Sequence, residues 1–217
     1  MAMDDTLKKL QEAILEYDTS RAKNLALKSI EKGIDPVRTV ETLTETIRQV
    51  GDRFNNEELW LPDLIGAAAA MQAAMPILEE QIKKSGKVRK SSGVVVIGTV
   101  FGDIHNIGKD MVATLLAADG YQVVDLGVNI NAEQFIDAIK EHNPDLLAMS
   151  SLMTMTAPEQ GKVIDALKRE GLRQKIKVIV GGGAITKDFS DEIGADGYGA
   201  AATDAVNLAR ELLGRGK

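Results

Sequence analysis

The chain has 217 residues, a formal net charge of −6 and no cysteine. That length can bury a substantial core in one or two domains, and the missing cysteine excludes disulfide frameworks, thiolate metal sites and cysteine nucleophiles. The acidic balance argues against general binding of nucleic acid or anionic membranes. No stretch approaches the roughly 18 uninterrupted apolar residues of a membrane span, and Asp4, Asp5, Lys8 and Lys9 leave no signal-peptide core, so a cytoplasmic protein is expected.

Residues 1–87 read as a four-helix bundle. Leu7, Leu10, Ile14 and Tyr17 share one face of a first helix over 4–17, and Thr19 or Ser20 can cap a second that ends at Gly33. Asp35-Pro36 has the form of a helix start, with Val37, Val40, Leu43, Ile47, Val50 and Phe54 following in steps of three and four. Leu59-Trp60-Leu61-Pro62 opens a fourth helix to about Lys84. Its Gly66–Ala70 run permits close approach of a neighbour, and Pro76 is expected to kink it. Trp60, the one tryptophan, either fills the bundle core or serves something outside it. Lys83–Ser92 is polar and basic without an apolar period, and reads as a linker.

Residues 88–217 alternate strand and helix. Buried strands are expected at Val94–Ile97, Tyr121–Leu126, Asp145–Met149, Ile176–Val180 and Ala195–Tyr198. Between and after them fall helices after Gly108, at 132–142 and 158–170, around Phe189 and Ile193, and from Ala202 to Leu213. The class is therefore α/β: a helical-bundle cap followed by a doubly wound, five-stranded parallel sheet of Rossmann or flavodoxin-like type. A ligand crevice is expected between strands one and three.

The loop after the first strand carries the chemistry. A phosphate loop ending at Gly108-Lys109 would need glycine at residue 103 and a hydroxyl at 110, and both are Asp. What stands there is Asp103-x-His105. A carboxylate two residues from a histidine can fix its tautomer and leave the other ring nitrogen for a metal, or the histidine can simply be a packed or surface residue. The sheet order brings the Asp103–Gly108 loop, the segment Ser150–Thr156 and Gly181–Gly183 to one edge. Triple glycine opens space for something bulky, and a hydroxyl from Ser150, Thr154 or Thr156 is placed to reach Asp103.

In these residues the chain resembles the cobalamin-binding domain family, whose fingerprint is Asp-x-His-x-x-Gly, a spacer, Ser-x-Leu, a second spacer and Gly-Gly. Asp103-x-His105-x-x-Gly108, residues 109–149, Ser150-x-Leu152, residues 153–180 and Gly181-Gly182 match it in order. Trp60-Leu61-Pro62 is similar to the aromatic-Leu-Pro element with which methyl-transferring members cover the corrin. The whole chain resembles the small corrinoid proteins of methyltransferase systems for methylamines, methanol, methoxyaromatics or betaines.

The resemblance implies a base-off, His-on corrinoid cycling between methylcobalamin and cob(I)alamin, with His105 as the lower cobalt ligand. Asp103 would accept from His105 and favour its protonated form once it leaves cobalt, and Thr156 would stand behind Asp103. The nucleotide tail would pass Ile104, Asn106, Ile107, Gly108, Ser150, Leu152, Thr154, Gly181, Gly182 and Gly183. Trp60 would shield the upper face, and the bundle would have to swing about residues 83–92 to admit partners. The partners implied are a substrate-specific methyltransferase, a second corrinoid:acceptor methyltransferase acting on tetrahydrofolate or a thiol coenzyme, and a reductive activase, with no nucleic acid and no membrane. On this reading the chain is a methyl carrier and not a complete enzyme. Three other readings are an adenosylcobalamin mutase subunit, a cobalamin-dependent sensor, and a flavodoxin-like signalling module without a cofactor.

Overall fold

The computed structural model describes residues 4–85 and 92–214. The chain forms two compact units, one built on the N-terminal helices and one on the sheet. Most of the linker expected over 83–92, with the boundary expected at 87–88, lies outside the described residues.

The first unit holds α1 (Asp5–Leu15), α2 (Thr19–Glu31), α3 (Pro36–Asn55) and α4 (Leu61–Lys84). Each of the first three begins at an aspartate whose carboxylate accepts an orphan backbone N–H: Asp4 from Thr6, Asp18 from Arg21 and Asp35 from Val37. The cap expected at Thr19 or Ser20 therefore belongs to Asp18, one residue earlier. Leu7, Leu10, Ile14, Val40, Leu43, Ile47 and Val50 are buried, each worth about 1.5–3 kcal/mol of transfer free energy. Tyr17 falls beyond α1 with φ +61°, and its ring lies against α4. A Cβ at Gly66 would come within 2.8 Å of Tyr17 Cγ, which accounts for the glycine in that small-residue run.

Helix α4 continues through Pro76 to Lys84. It is long and apolar enough by length and composition to cross a membrane, which its scattered polar residues had hidden in a search for uninterrupted apolar runs. Its Leu64, Ala67, Ala70, Met71, Ala74, Leu78 and Ile82 are buried, and it packs against α2 and α3. Trp60 stands at its N-terminus, where the Trp60 N–H donates to Asp63 Oδ2 at 2.7 Å. The residue is 78% exposed, so the core role for Trp60 is excluded.

The second unit runs β1 (Val94–Thr99), α5 (Ile107–Ala118), β2 (Gln122–Asp125), α6 (Ala132–His142), β3 (Leu146–Ser150) and α7 (Pro158–Arg169). It continues β4 (Lys177–Gly181), α8 (Lys187–Ile193), β5 (Gly197–Gly199) and α9 (Ala202–Leu212). All pairs are parallel, in the order β2-β1-β3-β4-β5, as the flavodoxin-like reading requires. Val95, Val96 and Ile97, with Leu146, Leu147, Val178 and Ile179, are buried, as strands covered by helices on both faces must be. Phe135 packs so near β1 that a Cβ at Gly98 would lie 2.9 Å from its ring.

Register sets up the site. Thr99 pairs with Ser150, Ser150 with Gly181 and Gly181 with Gly199. The carboxyl ends of four strands thus form one line across the sheet, and the loops that leave them rise from a single edge.

Candidate functional site

At that edge the chain turns sharply after β1 and buries Asp103 completely. Oδ1 accepts the His105 backbone N–H at 3.0 Å and lies 2.7 Å from His105 Nδ1. Oδ2 accepts the Leu152 N–H at 2.8 Å, the Met153 N–H at 3.3 Å and the Thr156 hydroxyl at 2.9 Å. The Ser151 hydroxyl lies 3.4 Å from the same oxygen and 2.8 Å from Thr156 Oγ1.

Burial alone would push the Asp103 carboxyl up. The hydrogen bonds from His105, Leu152 and Thr156 outweigh it and hold the group well below the usual carboxylate range. A group whose pKa is lower in the folded than in the unfolded chain stabilises the fold above its unfolded pKa, near 3.9, and ceases to do so as pH falls through the folded value. Asp103→Asn is therefore expected to destabilise the apoprotein by about 2–4 kcal/mol at neutral pH. It is also expected to flatten the loss of Tm below about pH 4, which scanning calorimetry across pH 2–7 would read.

Because the ionised Asp103 only accepts, Nδ1 of His105 carries a proton, which in the neutral ring leaves the lone pair on Nε2; that nitrogen has no hydrogen-bond partner among the described residues. His105 is half exposed, and the side chains of Ile104 and Ile107 beside it are exposed and apolar. Asn106 Nδ2 instead donates to Asp110 Oδ2 at 2.9 Å and steadies the first turn of α5. That helix starts at Ile107, so Gly108 is helical, whereas the sequence reading had placed it in the loop. No atom lies within 4 Å of a Cβ built there. Glycine inside a helix costs about 1 kcal/mol relative to alanine, and nothing in the fold asks for it.

The open space beside Gly108 is a cavity of about 380 Å³. It runs along the sheet edge past Ser150, Gly181, Gly182 and Gly183 to Tyr198 and Ala200–Ala202. The three glycines are packed tightly against their neighbours. A Cβ at Gly181 would lie 2.8 Å from Gly199 O, and one at Gly183 would lie 2.7 Å from Leu152 Cδ1. Gly182 has φ +117°, and its Cβ would fall 2.8 Å from Ser151 N and nearer still to Ser151 O.

Lys109 also lines the cavity, but its buried ammonium is paired with Asp110 at 2.6 Å and with Asp125. Among the described residues that line the cavity, no unpaired cation is left.

Of the residues expected at the site, Asp103, His105, Leu152 and Thr156 meet in one network, and Gly108, Ser150 and Gly181–Gly183 line the adjoining cavity. Thr154 is exposed and makes no hydrogen bond among the described residues, so the hydroxyl that reaches Asp103 is that of Thr156. Sequence reading missed Ser151. Two adjacent serines cannot be told apart until the end of β3 is known, and it is the second that turns inward to Thr156 and Asp103.

The donor set favours one kind of metal. Among the described residues no group of three or more His, Cys, Asp or Glu side chains could hold an ion. A bare ion needs several protein ligands, whereas a metal held in its own macrocycle needs one axial donor. A single imidazole beside a long, glycine-walled cavity fits a tailed macrocycle.

Residues 93–207 match the family model described as the B12 binding domain, and residues 6–79 match a second model with the same description. The chain belongs to the B12-binding corrinoid proteins. It is similar to trimethylamine corrinoid protein 1 of Methanosarcina acetivorans, at 40% identity over 97% of this chain and 98% of that protein. It is also 40% identical to the dimethylamine corrinoid protein of Methanosarcina barkeri, over 98% of this chain and all of that one. Among solved structures, the methanol:cobalamin methyltransferase complex MtaBC from Methanosarcina barkeri contains a chain that superposes with a TM-score of 0.88 at 31% identity. That match covers all of this chain and 82% of that one. Family membership sets aside a signalling module without a cofactor.

Proposed function

We propose that this corrinoid protein carries a methyl group between a substrate-specific methyltransferase and a second, corrinoid:acceptor methyltransferase, with a reductive activase restoring the cofactor when it is oxidised. The observation that carries the reading is the His105–Asp103 pair: an imidazole with Nδ1 tied to a buried carboxylate and Nε2 left open. A bound corrinoid supplies the cobalt that takes up and releases the methyl group. The protein supplies ligation, burial and access. His105 Nε2 would bind the cobalt in a base-off, His-on state, Asp103, itself held by Thr156, would hold the ring, and the slot along Gly108, Ser150 and Gly181–Gly183 would take the tail. The relatives named as methylamine corrinoid proteins support a carrier over a mutase subunit or a sensor, because the match spans nearly the full length of both chains.

Trp60 is the bundle's contribution in this reading: an indole left in solvent, available to shield a reactive cobalt from oxygen and water. Because it is so exposed, Trp60→Ala is expected to change stability by less than about 0.5 kcal/mol. The same change is expected to speed aerobic reoxidation of cob(I)alamin on the protein severalfold in a stopped-flow trace. An unchanged rate would remove Trp60 from the cofactor's surroundings.

The function is tested by loading the protein with cobalamin, reducing it, and adding methylamine-, methanol-, methoxyaromatic- and betaine-specific methyltransferases with their substrates in turn. One of them is expected to methylate the cofactor stoichiometrically. Methylation by none, with the corrinoid bound through histidine, would favour the sensor reading.

A further inference from the structure

Gln160 lies on α7, and no role described so far uses it. Its side chain is fully buried. Nε2 donates to Met149 O on β3 at 3.1 Å and to Gly181 O at the end of β4 at 3.2 Å, while Oε1 has no partner among the described residues. Turning the amide over would set Oε1 against both carbonyls, so the two acceptors dictate its orientation. The chain thus keeps one buried acceptor unpaired in order to place two donors at this point, and such an orphan calls for an explanation.

The explanation lies in what those carbonyls hold. Gly181 O also accepts the Ser151 N–H at 3.1 Å. Ser151, Leu152 and Met153 then surround Asp103 Oδ2, the carboxylate that orients His105. On the other strand, Gly181 leads into Gly182, which forms the wall of the cavity and touches the Ser151 backbone. The paired register ends at Ser150 and Gly181, and past it the Ser151 N–H bond to Gly181 O still joins the two segments. The amide of Gln160 clasps both just before that point.

We propose that Gln160 is a positioning residue that locks the glycine wall of the cavity to the segment holding Asp103, so that filling the cavity with a nucleotide tail steadies His105 as a ligand. The inference rests on the corrinoid reading above and adds to it a route between the two halves of the site. Gln160→Met keeps the volume and removes both donors. Gln160→Glu keeps the shape, and its protonated carboxyl supplies one donor.

Two probes separate the roles: cobalamin, which carries the nucleotide tail, and cobinamide, which lacks it. Gln160→Met is expected to raise the Kd for cobalamin about tenfold and to leave that for cobinamide within twofold. The visible spectrum of bound cobalamin is expected to shift toward the form without histidine ligation, and Gln160→Glu is expected to fall between. Equal weakening of both probes, or unchanged affinity with an unchanged spectrum, would reduce Gln160 to a support of the fold and overturn the inference. Unchanged far-ultraviolet circular dichroism confirms that each variant is folded. Should wild-type protein bind neither probe, the corrinoid reading itself would fall, a failure distinct from any effect of Gln160.

Discussion

Replacing His105 with alanine is expected to abolish protein ligation of cobalt while leaving the fold intact. The side chain is half exposed, and its one hydrogen bond among the described residues goes to an Asp103 carboxylate that keeps its backbone and Thr156 donors. Stability is therefore expected to fall by no more than about 1 kcal/mol. The spectroscopic change is expected to be complete. Wild-type protein loaded with cobalamin is expected to show an imidazole-ligated spectrum, with nitrogen superhyperfine splitting in the electron paramagnetic resonance of the Co(II) form. The variant is expected to show neither. Retention of the splitting would mean that another nitrogen binds from below, and the Asp103–His105 pair would lose its assigned purpose.

The second large effect is expected at Gly182. Its φ of +117° is a region that side chains rarely adopt, and an added Cβ would run into Ser151 main-chain atoms, which cannot swing aside as a side-chain tip can. Gly182→Ala is expected to cost about 3 kcal/mol or more, read as a lowered urea midpoint with an unaltered m-value. If the fold relaxes to accept the methyl group, the segment from Ser151 to Met153 must shift, and its N–H groups would leave Asp103. Corrinoid affinity would then drop with stability. Gly108→Ala is its counterpart: nothing surrounds that Cβ, so the apoprotein is expected to gain or keep stability while tail binding weakens.

Much of this was legible before any coordinates. Alternating β-branched runs and amphipathic helices dictate a parallel sheet, and the flavodoxin-like order expected for it is the one that brings Asp103, Ser150 and Gly181 to one edge. What escaped the reading was decided by local geometry. Asp18 wins the cap from Thr19 because its carboxylate reaches the Arg21 N–H. β3 runs one residue further than its apolar run, which turns Ser151 and not Ser150 toward Asp103. For Trp60 the residues alone left core and outside roles open, and its place at the mouth of α4 leaves the ring in solvent. Gln160 carried a signal that went unread. It shares a helix face with Val163, Ile164 and Leu167, and a polar residue on an apolar stripe is there to bond something buried.

The alignment of Thr99, Ser150, Gly181 and Gly199 across the sheet has a consequence for how the protein is made. The residues it gathers lie up to a hundred positions apart, so no short fragment of the nascent chain holds the assembled edge. The pocket comes into being when the last strands dock, late on a route dominated by distant pairings. Since only the finished domain can hold the cofactor, each tenfold excess of corrinoid over Kd adds about 1.4 kcal/mol to the native state and nothing to its precursors. A corrinoid present while the domain folds would therefore favour its completion over its unfinished precursors.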